Sequence, residues 1–346
     1  MNHKERFLAT IERKPVDYPA SWFGMPAPSA LPGLFHHFQC QSIKELKKIL
    51  DDDIFPVDVP YHSPVSNHIA CAFDWSVEGQ TDYEHRTLTT PGFFKDYTKC
   101  DDLRKVNDFD WPDPIKYMNK AECLSAVKDI PTDYAIMGVL WSAHFQDALA
   151  AFGMEKALVT MLKNPEFFKS VIDRITDFYL KANELFFEAT EGYLDCILIG
   201  NDFGGQKGLM IRPELIRKFV FPGTKMLIDQ AKKYNVKVIH HSCGSIYPLI
   251  NDLINLGVDA IHPIQALAAN MDASTLHRDF GSRVSFCGGV DAQFLLVNGQ
   301  PKEVKSKVKE LKQIFPTGLI ISPSHEAILP DTKPSNIQAL FQAVKQ

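Results

Sequence analysis

His241 and Cys243 stand two residues apart, and no other pair in the chain makes so sharp a chemical pattern. Side chains at i and i+2 of a strand point to the same face, so an imidazole and a thiol spaced this way can converge on one point. A soft sulfur donor beside a nitrogen donor selects zinc, which takes four ligands in a tetrahedron and keeps one position open where it is catalytic. Two further protein ligands, or one and a water, then come from elsewhere. His325 is the candidate, with Cys287 and Glu326 in reserve. The same pair also reads as a buried thiol next to a histidine bonded to a carbonyl, a purely structural arrangement.

Other polar residues gather after short apolar runs. Tyr61 and His62 follow one such run, Trp141-Ser142-Ala143-His144 the next, and Asn201-Asp202-Phe203-Gly204-Gly205-Gln206 a third. Further along come His262-Pro263-Ile264-Gln265, Cys287-Gly288-Gly289-Val290-Asp291-Ala292-Gln293 and Ser322-Pro323-Ser324-His325-Glu326. From these we take His325, Asp202 and His144 as catalytic candidates, and Tyr61, Gln206, Gln265, Asp291 and Gln293 as substrate-binding candidates. Asp202 and Asp291 could anchor a cationic or N–H-bearing substrate, or cap helices. Asp291 precedes a helix-like stretch, which favours capping there. Arginine is scarce at these positions, which disfavours a polycarboxylate substrate, because bidentate pairing with carboxylates is what arginine does best.

The elements that must position these groups alternate regularly from residue 134 onward. Apolar runs of strand length at 135–140, 196–199, 236–239, 260–263, 284–286 and 319–321 are separated by helical stretches such as 165–190, 213–234, 246–256 and 301–315. Continuous apolar strands alternating with helices mark a parallel sheet buried on both faces. Adding 19–23 and 54–59 makes eight strands, which predicts an α/β fold of the (β/α)8 TIM-barrel type. Chemistry then belongs at the C-terminal strand ends, where the polar residues above lie. No G-x-G-x-x-G follows the early strands and no Walker A sequence occurs, so a dinucleotide-binding sheet is disfavoured. The first third reads as an elaboration, with helices at 2–12 and 43–50 and a β-hairpin insertion over about 63–100, its strands at 84–90 and 93–97. One domain over residues 1–346 is expected.

Composition narrows the classes. The chain has 346 residues, a net charge of -5, 45% hydrophobic and 23% charged residues, so it is an ordinary globular protein without the basic surplus a nucleic acid demands. No apolar run approaches the ~20 residues needed to cross a bilayer, and the charged N-terminus lacks a secretory signal, so a cytoplasmic location is expected. Seven cysteines in no regular framework suit thiols or a metal better than disulfides.

Several runs carry a family resemblance. Val238-Ile239-His240-His241-Ser242-Cys243-Gly244-Ser245, Gly288-Gly289-Val290-Asp291-Ala292-Gln293 and Ser322-Pro323-Ser324-His325 resemble the uroporphyrinogen decarboxylase superfamily. So do Asp202-Phe203-Gly204-Gly205 with Arg212-Pro213-Glu214, Trp111-Pro112-Asp113-Pro114 and Thr90-Pro91-Gly92. The likeness spans nearly the whole chain and implies the same barrel. One branch decarboxylates uroporphyrinogen without metal or cofactor, using arginines of an N-terminal R-Q-A-G-R segment. The corresponding stretch here, Ser21-Trp22-Phe23-Gly24-Met25-Pro26-Ala27-Pro28-Ser29, has none.

In pattern the chain is closest to the other branch, the cobamide-dependent methyltransferases, which share H-x-C and a later cysteine as zinc ligands. The resemblance implies Zn2+ held by His241 and Cys243, with His325 where that family has its late cysteine. It implies a methyl or alkyl transfer between a corrinoid protein and a thiol or similar small-molecule acceptor. No D-x-H-x-x-G occurs, so the corrinoid would sit on a separate partner protein. A homodimer is common in the family. The alternatives are a cofactor-independent decarboxylase of a pyrrolic acid in tetrapyrrole biosynthesis, and a non-catalytic corrinoid- or tetrapyrrole-binding barrel.

Overall fold

The computed structural model describes residues 1–77, 87–97 and 103–346. Its centre is a parallel sheet of seven strands hydrogen-bonded in sequence order: β1 (Ile54–Asp58), β2 (Ala135–Trp141), β3 (Cys196–Gly200), β4 (Lys237–His241), β5 (Ala260–Ile264), β6 (Ser285–Val290) and β7 (Leu319–Pro323). Strands β3, β5, β6 and β7 are buried along their whole length, as the unbroken apolar runs require. The two-residue period divides their side chains. Ala135, Met137, Val139, Cys196, Leu198, Ile239, Cys287 and Ile320 fill one inner core. Ile136, Leu140, Ile197 and Ile199 join the larger core against the surrounding helices.

The sheet curls until its ends meet across residues 20–22. Ser21 bridges Ile321 in parallel, with Trp22 N donating to Ile321 O at 3.0 Å and Ile321 N donating to Ala20 O at 2.8 Å. On the other side Asp53 N donates to Ser21 O at 2.9 Å, and Ser21 N donates to the Asp53 carboxylate at 2.7 Å. This short segment is the expected eighth strand, reduced to one bridge because a carboxylate takes the place of a backbone acceptor. The fold is thus TIM-barrel-like, as the strand pattern predicts.

Helix His3–Ile11 lies against the inner core, contributing Phe7 and Ile11, and is started by a capping box between Asn2 and Glu5. Its buried Arg6 donates to Asp53 at 2.7 Å and to Asp17 at 2.8 Å. Asp53 immediately precedes β1, so this pair belongs to the end of the barrel opposite the strand C-termini. The long helix Pro165–Ala189 packs outside the sheet.

The helical stretch 213–234 is two helices, Pro213–Phe219 and Phe221–Lys233, because Pro222 has no N–H to carry the first one onward. Likewise 246–256 opens as a 3-10 turn, Tyr247–Leu249, before Ile250–Leu256. Of the expected hairpin, residues 84–86 lie outside the described residues. Residues 87–97 run through turns rather than strand, with Phe93 and Phe94 packed on Phe109 at 5.1 and 5.8 Å. Aromatic packing, not strand pairing, organises that segment.

Candidate active site

The C-terminal ends of β2, β3 and β4 and the loop after β7 surround a cavity of about 250 Å3, lined by Trp141, Gln146, Asp202, His241, Cys243, His325 and Glu326 among others. His241 is the last residue of β4, and Cys243 follows in a loop fixed from below. Gly244 at φ +79° brings its backbone against Gly204, so close that a Cβ on Gly244 would sit 2.3 Å from the Gly204 carbonyl carbon. The two loops are tied together by Ser245 N donating to Gly205 O at 2.8 Å and Cys243 N donating to Asp202 Oδ1 at 2.8 Å. Gln265 Oε1 accepts from Gly244 N at 2.6 Å. These contacts set Cys243 Sγ 3.4 Å from His241 Nε2, with Asp202 Oδ1 3.3 Å from the same nitrogen.

The other ring nitrogen of His241 faces inward. Its Nδ1 lies 2.9 Å from His262 Nδ1 and 3.5 Å from Glu326 Oε2. Two groups of potential ligands therefore share one imidazole: Asp202, His241 and Cys243 on the Nε2 side, and His241, His262 and Glu326 on the Nδ1 side. A histidine that offers Nε2 to a metal while giving its Nδ1 proton to a buried acceptor is the usual outer-shell arrangement. His262 suits that role, because burial together with the nearby His241 and His325 pushes its pKa well below the ordinary histidine value and keeps it a neutral acceptor.

The electrostatics follow from this packing. Burial opposes charge on His241, yet Asp202, the Cys243 sulfur and Glu326 together raise its pKa well above normal. Burial would raise the Cys243 thiol, but His241 and His325 outweigh it and bring it below the usual thiol value. Asp202, also penalised by burial, is held down at about 2 by His241 and Cys243. His325 is raised, chiefly by its bond to Cys243 and against desolvation. Its Nδ1 accepts from Ala327 N at 3.0 Å, which leaves Nε2–H to donate to the sulfur. Both shifts favour the charged forms, a proton on the imidazole and none on the sulfur, and His241 Nε2 and Cys243 Sγ are the atoms an ion would take.

The structure sorts the remaining candidates. Gln265 and Gln293 line a second cavity of about 270 Å3 that also touches His325, together with Ser324, Asp331 and Thr332. Gln206 is exposed and offers its carbonyl to Ala269 N at 2.9 Å. Asp291 caps the following turn, accepting from Phe294 N and Leu295 N at 2.9 Å each, so its carboxylate is committed to the backbone.

Three placements differ from the expected site. His144 is fully buried, its ring nitrogens 3.1 Å from Ser142 O and 3.0 Å from Val220 O, and burial lowers its pKa. It rivets the β2 turn and does not line the cavity. Tyr61 is buried between Tyr117 and Phe178, at ring distances of 5.9 and 6.1 Å. Cys287 points into the inner core, 3.4 Å from Ser322 Oγ, and burial pushes its thiol up to about 12. It belongs to neither ligand group.

His262 and Trp141 are the residues sequence reasoning missed. His262 opens a motif already singled out, and its register opposite His241 in β4 was the available signal. Trp141 has φ +53° and Ser142 φ +51°, a conformation that bulky residues avoid, with Ser142 N closing a tight turn on Leu140 O at 2.6 Å. No pattern of residue types announces it.

Comparison with known proteins agrees with this architecture. The profile described as uroporphyrinogen decarboxylase (URO-D) matches residues 81–346, and the chain belongs to that family. Among solved structures, a methyltransferase from Methanosarcina mazei superimposes with a TM-score of 0.71 at 18% identity, covering 99% of this chain and 98% of the other. A Listeria monocytogenes chain described as a vitamin-B12 independent methionine synthase aligns at a TM-score of 0.47 and 12% identity, over 95% of this chain and 96% of its own. No curated protein sequence matches. Among the described residues no helix is long and apolar enough to cross a membrane.

Proposed function

We propose that this chain is a zinc-dependent methyl (alkyl) transferase that moves a methyl group between a corrinoid carried by a separate protein and a small-molecule thiol. The observation that carries the reading is the convergence of Cys243 Sγ, His241 Nε2 and Asp202 Oδ1, all within 4.8 Å of one another at the barrel mouth. Sulfur, nitrogen and carboxylate oxygen are a donor set that zinc accepts. In this assignment Asp202 takes the ligand place given to His325 from the sequence, and His325 steadies the Cys243 thiolate instead. His262 holds the His241 ring through Nδ1, with the Glu326 carboxylate 3.5 Å from the same nitrogen.

Bound zinc lowers the pKa of a coordinated thiol so that it is a thiolate near neutral pH. The protein's part is to receive the proton and fix the geometry. Glu326 Oε2, buried and without a hydrogen-bond partner, is placed to take the proton of the incoming thiol. The sulfur then bonds to the methyl carbon as the donor's bond to that carbon breaks, and the electron pair stays with the donor. A decarboxylase of a polyanionic pyrrole is the less supported reading. Among the described residues neither cavity at the mouth is lined by lysine or arginine, while Asp202 and Glu326 both face in.

Metal analysis of protein purified without chelator tests the proposal. One zinc per chain is expected, with loss of most of it in Cys243→Ser and His241→Ala. A metal-free parent protein, or undiminished zinc in both variants, would reject it.

A further inference from the structure

His325 is a wall with a cavity on either side. One side is the cavity of His241 and Cys243, and the other is the second cavity of about 270 Å3, at the small end of ligand sites. The loops after β6 and β7 that build this second space are tied to each other. Ser324 N donates to Val290 O at 2.7 Å, Ala292 N donates to Ser324 Oγ at 3.0 Å, and Lys333 N donates to Leu296 O at 3.1 Å. Its walls are therefore in place before any ligand arrives.

The buried polar groups of this space are of one kind. Gln265, Ser324 and Thr332 are only 9, 3 and 8% exposed. Gln265 spends its oxygen on Gly244 N at 2.6 Å, which leaves its amide NH2 to donate. Ser324 Oγ is taken up by Ala292 N, which leaves its O–H. The Thr332 hydroxyl has no protein partner among the described residues. Three uncharged donors thus share the lining with apolar Val297, Ala327 and Leu329.

Among the described lining residues there is no lysine or arginine. His325 has both nitrogens engaged, Nδ1 by Ala327 N at 3.0 Å and Nε2 by Cys243, and its charge when protonated faces Glu326 Oε2 at 3.5 Å. An anion in the second cavity would exchange water for uncharged donors without a counter-charge, and an ammonium would set its own donors against them. The one carboxylate, Asp331, is exposed, so solvent weakens its pull on a cation. A carbonyl oxygen satisfies these donors and buries no charge.

We propose that the second cavity holds the body of the acceptor molecule, and that this acceptor is an uncharged, carbonyl-bearing thiol such as an N-acylated aminothiol. Its thiol end lies at Cys243 and its acyl end beyond the His325 side chain, which is 41% exposed between the two cavities. The thiol half of this statement rests on the transferase reading above, while the preference for an uncharged carbonyl stands on the second cavity alone.

Three thiols that share one mercaptoethyl group test it: N-acetylcysteamine is uncharged, cysteamine is cationic and 2-mercaptoethanesulfonate is anionic. N-ethylacetamide supplies the acyl end without the sulfur. Binding to the full-length protein, zinc-loaded and chelator-treated in parallel, is followed by NMR titration of the alanine methyls, with Ala292 and Ala327 reporting on the second cavity. N-acetylcysteamine should bind zinc-loaded protein roughly fivefold or more tightly than either charged thiol, as one added hydrogen bond allows. Thr332→Val keeps the shape and removes the hydroxyl. It should erase most of that advantage and leave the affinities of the charged thiols within about twofold of the parent's. If Thr332→Val does not fold, displacement of N-ethylacetamide from Ala292 and Ala327 by N-acetylcysteamine in the parent protein decides. N-acetylcysteamine binding no better than a charged thiol, methyl shifts absent from Ala292 and Ala327, or a preference untouched in Thr332→Val would each overturn the proposal. N-ethylacetamide that moves the Ala292 and Ala327 signals in a protein that takes up no zinc would keep the cavity's assignment and reject the metal reading. Bound zinc without those shifts would do the reverse.

Discussion

Replacing Asp202 by asparagine in metal-free protein should lower the pKa of His241, and the structure sets the size of the effect. Asp202 Oδ1 lies 3.3 Å from His241 Nε2, and the carboxyl sits at about 2 against a reference of 3.8. At ~1.4 kcal/mol per pKa unit the displacement corresponds to roughly 2.5 kcal/mol. With 42% of the Asp202 side chain exposed, solvent screening reduces this to about 1 kcal/mol. The part of that amount owed to His241 is lost to the imidazolium by reciprocity, so its pKa should fall while staying above the ordinary value, because Glu326 and Cys243 still face it. The stability linkage has a definite sign. The folded His241 pKa is raised, so its contribution is complete below the unfolded value near 6.5 and is lost as pH rises through the folded one. The Asn variant should therefore lose stability mainly at acidic to neutral pH and converge on the parent at high pH. NMR titration of the His241 ring protons in chelator-treated protein, with melting curves at several pH values, measures both quantities. An unchanged or higher His241 pKa in Asp202→Asn would show that the carboxylate and imidazole are not coupled as the geometry requires.

Three other outcomes can be checked directly. Arg6→Met removes the guanidinium 2.7 Å from the fully buried Asp53 and should cost about 3–5 kcal/mol, read as a lower midpoint in urea, with Asp53→Asn in the same background restoring part of it. Gly244→Ala should destabilise the protein by several kcal/mol and abolish high-affinity zinc retention, since its Cβ has no room beside Gly204; zinc binding and a melting point like the parent's would refute this. Burial raises Asp147 to about 7 against the bonds from Tyr179 and Trp75. The folded protein then keeps a proton that the unfolded chain gives up near pH 4, so stability drops as pH rises from 4 to 7, and Asp147→Asn should flatten that slope in pH-dependent melts.

Much of the fold was legible because buried parallel strands announce themselves as continuous apolar runs, and six of the seven strands fall on such runs from residue 134 onward. The first third was less so. Its aromatic residues Trp75, Phe94, Phe109 and Trp111 pack on one another and join the main core without strand pairing. At the site, His241 and Cys243 could be paired from their spacing, and Asp202 from its place at a strand end. His144 and Cys287 share the same type and location along the chain, yet face the core. Residue type cannot distinguish a histidine whose two nitrogens meet carbonyls from one that faces a cavity. His262 was hidden because its partner comes from the neighbouring strand, a contact that only register reveals.

The seam at residues 20–22 ties the start of the chain to nearly its end. Ser21 and Ile321, bridged across the barrel, are separated by roughly 300 residues, so this contact has one of the largest loop-closure costs in the molecule. On the ribosome Trp22 must wait, its indole unburied, until the last strand has emerged. The unsealed sheet meanwhile exposes two strand edges, and that interval is when the nascent chain is most open to pairing with a neighbour.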